Sequence, residues 1–304
     1  MAAVVLITGI RGFVASHLQR HLTEGGCSVI GVSRKADHSR GIYSWDDMRS
    51  DRLPHIDAII HAAAIAHDLD NSISEEQYQA ANVDLTAQTY DYFCRHTSVS
   101  SYIFVSSIAV EAFADSPYGR SKVSAERYIA DNRERSRGRQ VVVLRPAMIY
   151  GEGNKGNLPL LFNVVRRGLP WPLAAFRNTH SFVYIDNFCH IVSRVIERHE
   201  VCGTFAVADD TPLSTTRIIA LAAEATGRKA RLWRIPKPIV KAIAKVGDVM
   251  PLPLDTSRLE KLTRDLVVDN TAIKQALGIT TLPIATDEAF RRTFAAMAAD
   301  YQSK

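Results

Sequence analysis

The sequence predicts an α/β chain, a doubly wound parallel sheet followed by a smaller, discontinuous C-terminal α/β lobe. Near-continuous β-branched apolar runs recur at 3–8 (AVVLIT), 27–33 (CSVIGVS), 57–64 (DAIIHAAA), 101–107 (SYIFVSS) and 140–146 (QVVVLRP). Strands buried on both faces of a parallel sheet read this way. Stretches with helical spacing separate the runs at 12–24, 75–96 and 117–135, and such alternation builds βαβ units. A glycine-rich turn directly follows the first run. With 304 residues, 46% of them hydrophobic, the chain can fill one large core or two unequal lobes.

The first run passes into ITGIRGFVASHL. Gly9 suits the tight turn, Gly12 admits the close approach of a pyrophosphate, and Ala15 allows helix and strand to pack closely. The N–H groups that open the helix at Phe13 and Val14 then face the phosphates. The second strand ends GVSRK, so Ser33, Arg34 and Lys35 stand where an NAD site usually places a carboxylate for the ribose 2′-hydroxyl. Cations there suit a 2′-phosphate, and this stretch holds no carboxylate to repel it. Arg11 inside the turn adds a further cation. NADP(H) is therefore favoured over NAD(H), although Arg34 stacking on adenine or facing water fits the same residues. Asp46, after the short apolar stretch 42–45, is a weaker candidate for the adenine amine.

Past residue 150 the alternation loosens. GEGNKGNLPLLFNVVRRGLPWPL leads into a short helix at 158–168, and HSFVYIDNFCHIVSRVIERH reads as a strand and helix returning to the sheet. Prolines 251, 253 and 283 punctuate the remainder. Residues 1–150 plus about 180–202 are assigned to a dinucleotide-binding domain, and 151–179 with 203–304 to a substrate lobe. The basic, apolar run PKPIVKAIAKVGDVM (236–250) reads as a helix covering that lobe in preference to a membrane-surface segment.

The net charge of +5 comes from scattered basic pairs, not a stripe that would bind nucleic acid. Cys27, Cys94, Cys189 and Cys202 lack metal-ligand spacing, which argues for a reducing cytoplasm and no metal site. No apolar run approaches the roughly 20 residues that span a bilayer, and the N-terminus lacks a basic leader.

Tyr118 and Lys122 share one helix face, as any i, i+4 pair does. Their company is what distinguishes them. TGxxGF at Thr8 to Phe13, HAAA at 61–64, Asn82 in NVDLT, Ser106–Ser107, Tyr118-x-x-x-Lys122, RPAMIYGEG at 145–153 and VYIDNF at 183–188 follow in this order. Over residues 5–190 the chain thus resembles the extended short-chain dehydrogenase/reductase family.

That resemblance implies an NAD(P)-dependent oxidoreductase acting on nucleotide sugars. Ser107, with Ser106 in reserve, would orient a substrate oxygen, and Tyr118 would exchange a proton with it. The Lys122 ammonium and a cationic nicotinamide are expected to lower the phenol's pKa from its usual value near 10. Ala62, Ala63, Ala64, Ser106 and Pro146 would line the cofactor with Tyr118 and Lys122. It also implies a homodimer that pairs helices at about 82–96 and 118–133, which contain Tyr90, Phe93 and Tyr128.

Departures from the family pattern narrow the chemistry. Ile108 and Ala109 replace the Asp–Glu pair that 4,6-dehydratases need for elimination. Val110–Glu111–Ala112 replaces VYG, which separates the chain from standard UDP-galactose 4-epimerases. His180 stands where many relatives carry arginine, with Arg258 or Lys261 as replacement cations and Asn157 near the nucleotide. The expectation is an NADPH-dependent 4-ketoreductase of a UDP-linked 6-deoxy-hexosulose from bacterial surface-polysaccharide synthesis. The alternatives are an NAD-dependent 4-epimerase and a non-catalytic NADP(H) sensor.

Overall fold

Runs rich in valine and isoleucine, with no polar face, have to be covered on both sides. In the computed structural model, which describes residues 3–66, 72–154, 156–250 and 255–302, they form the middle of one parallel sheet. The strands are β1 (Val4–Thr8), β2 (Ser28–Ser33), β3 (Ile42–Ser44), β4 (Ala58–His61), β5 (Ser101–Val105) and β6 (Gln140–Pro146). Gly203–Val207 completes the sheet, in the order Gly203–Val207, β6, β5, β4, β1, β2, β3. The sequence reading had put 203–304 wholly in the smaller lobe. Gly203–Val207 instead pairs with β6, from Gly203 opposite Val142 to Val207 opposite Pro146.

Helices α1 (Phe13–Glu24), α2 (Trp45–Arg49), α3 (Glu75–Tyr78), α4 (Leu85–Arg95), α5 (Ala109–Ala112) and α6 (Pro117–Asp131) lie between these strands. A π-helical segment, Gln79–Asp84, joins α3 to α4. One core cluster joins Tyr90 and Phe93 of α4, Ala125 and Ile129 of α6, and Tyr102, Phe104, Val141 and Val143 of the sheet. Tyr102 donates to or accepts from Thr89 Oγ1 at 3.0 Å, so its buried hydroxyl is satisfied. Tyr90 and Phe93 are fully buried in the sheet core, and the Tyr128 hydroxyl donates to Asp91 at 2.9 Å. These three aromatics are thus engaged within the chain.

The chain packs as two units. The first comprises Met1–Ile149, Ile185–Ala208 and Val268–Pro283, and the second Tyr150–Tyr184, Asp209–Val267 and Ile284–Lys304. In the first, the helix Thr271–Leu277 buries Ile273 and Leu277. The second has an aromatic centre in which Tyr150 stacks on Phe290 with ring centroids 4.1 Å apart, and Phe162 stacks on Phe294 at 5.6 Å. Its short antiparallel ladder sets Leu213 opposite His180. Pro251 and Pro253 lie outside the described residues.

Candidate active site

β1 is flanked by β2 on one side and β4 on the other, so the strand order reverses there. In open α/β sheets such a reversal opens a crevice at the carboxyl ends of the strands. Gly9 turns the chain there with φ +69°, and a Cβ on it would stand 2.8 Å from the Cα of Ala63. Only glycine meets both demands. Gly12 heads α1 with extended backbone and no side-chain cap, so no side chain takes up the N–H groups of the first turn. Arg11 is exposed, Phe13 and Val14 are half-buried, and Ala15 is buried against the sheet. A tight glycine cradle beside an uncapped helix start fits the pyrophosphate of a dinucleotide.

At the end of β2 the Ser33 hydroxyl donates to the Lys35 carbonyl at 2.6 Å, and this bond shapes the turn that leaves Arg34 and Lys35 exposed. The structure adds a carboxylate that the GVSRK stretch did not reveal. Asp37 is held below the usual carboxylate range mainly by the Ser39 hydroxyl, with help from Arg40 and Arg11. The cationic corner thus includes one acid, already satisfied by Ser39 and Arg40. Asp46 is exposed and paired with Arg49 one helical turn on. Its neighbour Asp47 is the organising carboxylate, bound by Ser44, His38 and Arg52 in a capping box that fixes α2.

The loop after β4 is fixed by a chain of buried hydrogen bonds that the sequence did not single out. Thr8 Oγ1 accepts from the N–H groups of Ala62 and Ala63 at 3.2 and 3.1 Å and lies 2.7 Å from His61 Nδ1. His61 Nε2 lies 3.0 Å from Thr86 Oγ1, whose own hydroxyl donates to the Asn82 carbonyl at 2.7 Å. Thr86 therefore accepts from His61, and these partners assign a neutral imidazole protonated at Nε2. Burial, reinforced by Lys122, lowers the His61 pKa to about 3, in keeping with that assignment. Ala64 is exposed at the end of this loop. Asn82, inside the π-helical segment, accepts from Ile65 N at 2.7 Å and donates to Ile65 O and to Ser121 Oγ.

Ser121 in turn donates to the Tyr118 carbonyl at 2.8 Å, which connects this loop to α6. The helix starts where Ser-Pro dictates. The Ser116 hydroxyl accepts from Gly119 N at 3.0 Å, and Pro117 occupies the first turn, where its missing N–H costs nothing. Tyr118 and Lys122 follow on one face.

The two serines after β5 point to different partners. Ser106, 3% exposed, donates to Glu126, which is clamped by Arg145 at 2.5 Å. Arg145 also pairs with the exposed Glu111 at 2.5 Å. Ser107 accepts from Ala109 N at 3.1 Å and acts on the Tyr118 phenol, whose pKa it lowers. Pro146 is buried, and its carbonyl accepts from Ile108 N at 3.0 Å.

Burial pushes the Tyr118 phenol up, the Ser107 hydrogen bond pulls it down, and Tyr78 adds to the rise. Tyr78 lies with its ring centroid 6.3 Å from that of Tyr118. Lys122 does not figure among these causes. Its Nζ donates to the Val105 carbonyl at 3.0 Å and sits over the Phe104 ring, and burial lowers its pKa to about 8.

Because 8 lies below the ordinary lysine value of 10.5, the unfolded chain binds the extra proton between those values. Stability tied to Lys122 therefore falls as pH drops through that window and stays low beneath it. Lys122→Met is expected to stabilise the protein by about 1–3 kcal/mol at pH 7, with the advantage vanishing by about pH 10.5. Urea midpoints across pH check this, and a destabilised variant at pH 7 contradicts it.

The remaining candidates belong to the second unit. His180 is half-buried in the ladder with Leu213, and burial lowers its pKa against the opposing pull of Asp265. Asn157 opens the helix Asn157–Arg166, and Arg258 and Lys261 fall in Thr256–Thr263. The side chains of these three lie outside the described residues. Among the described residues no cluster of His, Cys, Asp or Glu is arranged to hold a metal, and no helix is long and apolar enough to cross a membrane.

The model of the NAD-dependent epimerase/dehydratase family matches residues 5–208. The chain belongs to this family. Like other members it has a Rossmann-like sheet, and similar solved structures contain NAD in some cases and NADPH in others. One relative within the family is UDP-glucose 4-epimerase of Vibrio cholerae, 26% identical over 96% of this chain and 95% of its own length. Another is UDP-2-acetamido-2,6-beta-L-arabino-hexul-4-ose reductase of Pseudomonas aeruginosa, 24% identical over 64% of this chain and 49% of its own. The fold matches the crystal structure of UDP-N-acetylglucosamine 4-epimerase from Bacillus cereus with TM-score 0.77 and 18% identity, covering 97% of this chain and 99% of that one.

Proposed function

We propose that the chain is a cytoplasmic, NADPH-dependent reductase of the C4 ketone of a UDP-linked 6-deoxy-hexosulose in the synthesis of bacterial surface-polysaccharide sugars. The observation that carries the reading is the Ser107 side chain set against the Tyr118 phenol, where it opposes the upward push of burial, with Lys122 one helical turn on. The dinucleotide supplies the hydride when bound. Tyr118 gives its phenolic proton to the ketone oxygen, Ser107 orients that oxygen, and the Lys122 charge eases the phenolate left behind. Gly9, Gly12, Phe13 and Val14 would hold the pyrophosphate, with Ala62 to Ala64 and Pro146 along the crevice. Ser106 is engaged by Glu126, which leaves Ser107 as the substrate-facing hydroxyl. A homodimer belongs to the same proposal, with exposed residues of α4 and α6 making the contact. NADPH consumption with a 4-keto UDP-sugar tests the reading, and cofactor binding without turnover would identify a sensor instead.

Arg34, helped by Arg11, reads the 2′-phosphate. Arg34→Glu is expected to weaken NADPH binding by roughly 10–100-fold while NADH binding changes less than about threefold. Equal losses for both cofactors would show that Arg34 does not face the phosphate. A second reading, an NAD-dependent 4-epimerase, is favoured by the near full-length match to the Vibrio cholerae enzyme. Co-purifying NAD and C4 inversion without net NADPH consumption would select it.

A further inference from the structure

The run 236–250 does form a helix over the second unit, Lys237–Gly247, but it has more apolar surface than that unit covers. Val240 and Ala244 are buried against Leu173, Phe176 and Leu259. Ile239, Ile243, Val246, Val249 and Met250 are each between 45% and 88% exposed, as is Trp233 just before the helix. At 100° per residue, Ile239, Ile243 and Val246 fall within one narrow arc beside the buried face, and Val249 and Met250 extend the apolar surface just past the end of the helix. Lys241 and Lys245 run along the other edge of the exposed surface. Trp233 is presented by a backbone bridge, its N–H donating to the Trp171 carbonyl at 2.9 Å. Isolated exposed apolar residues are ordinary, but a contiguous stripe of this kind marks a surface that something covers.

Charge identifies the occupant. Residues 228–250 contain seven basic side chains (Arg228, Lys229, Arg231, Arg234, Lys237, Lys241 and Lys245) and one acid, Asp248, a net +6 in a chain whose total is +5. The remainder of the molecule, with 30 of the 37 basic and 31 of the 32 acidic residues, is therefore close to neutral in net charge. We propose that the face formed by Arg231–Met250 docks on an anionic phospholipid bilayer, its apolar arc entering the headgroup boundary and its lysines and arginines meeting lipid phosphates. An apolar arc edged by lysines, with an exposed tryptophan at its start, matches the chemistry of that interface. The sequence favours a helix covering the lobe over a membrane-surface segment, and the helix does cover the lobe with part of its apolar face.

Vesicle co-sedimentation of the full chain tests the proposal, using phosphatidylcholine vesicles with and without phosphatidylglycerol. The wild type is expected to bind the anionic vesicles at least tenfold more tightly than neutral ones, and to be released as salt is raised. Two double variants, Ile243→Asp with Val246→Asp and Lys241→Glu with Lys245→Glu, should each lose at least tenfold in binding. All four positions are exposed, so circular dichroism and the thermal midpoint should be unchanged. Wild type that stays in the supernatant with anionic vesicles at low salt overturns the proposal, as does equal binding to neutral vesicles. So does a wild-type oligomer, in the absence of lipid, that dissociates in the aspartate variant, since the stripe would then be covered by a second copy.

Discussion

Tyr118→Phe lowers NADPH-dependent reduction of a 4-keto UDP-sugar by ~10²–10⁴-fold while NADPH affinity stays within about twofold. The phenyl ring keeps the place beside Tyr78 that the tyrosine ring holds, so packing is retained and only the hydroxyl is lost. Ser107 eases the ionisation of that hydroxyl, and the nearby His61 and Lys122 are poorly placed to supply the proton instead. His61 is neutral and fully buried, and Lys122 is turned to the Val105 carbonyl. Steady-state kinetics beside a cofactor titration separate the effects. Turnover within about tenfold of wild type would mean that the proton comes from elsewhere, and the proposed chemistry would fail.

Gly119→Ala destabilises the protein by about 3 kcal/mol or more, a fall in thermal midpoint of roughly 6–12 °C. At an exposed helix position the same change would stabilise by up to about 1 kcal/mol. The sign reverses here because an added Cβ would stand 1.9 Å from the Phe113 carbonyl oxygen. That oxygen cannot easily move, since it accepts from both Ser116 N at 3.0 Å and Ser116 Oγ at 2.7 Å. The same serine caps α6 by accepting from Gly119 N. Relief of the clash therefore displaces either the cap or the loop that carries Phe113, and Tyr118 sits between them. Calorimetry reads the stability, and a midpoint equal to or above wild type would show that the loop yields freely.

Five strands and the major helices of the first unit were legible because their apolar runs are long and their periods distinct. β3 is three residues long, too short to carry a period, and Gly203–Val207 opens on a glycine and follows a loop. The stretch 75–96 reads as one helix. It is broken by a π-helical segment in which Asn82 serves the backbone of Ile65, a partner 17 residues away that no local pattern shows. Tyr118 and Lys122 were legible because helical spacing alone puts them on one face. Alignment on the strand-end motif favours Ser107 over Ser106, whereas the contact of Ser106 with Glu126, 20 residues downstream, was not legible. Asp37 likewise enters the cofactor corner only once the chain after β2 has folded back.

The Thr8–His61–Thr86–Asn82 chain has one further effect. Each hydrogen in it already has a fixed direction, and its imidazole does not take up a second one until the medium is strongly acidic. His61 is thus expected to stay neutral across the physiological range, so an ionisation seen near neutrality in this protein's rate profile is not expected to come from it.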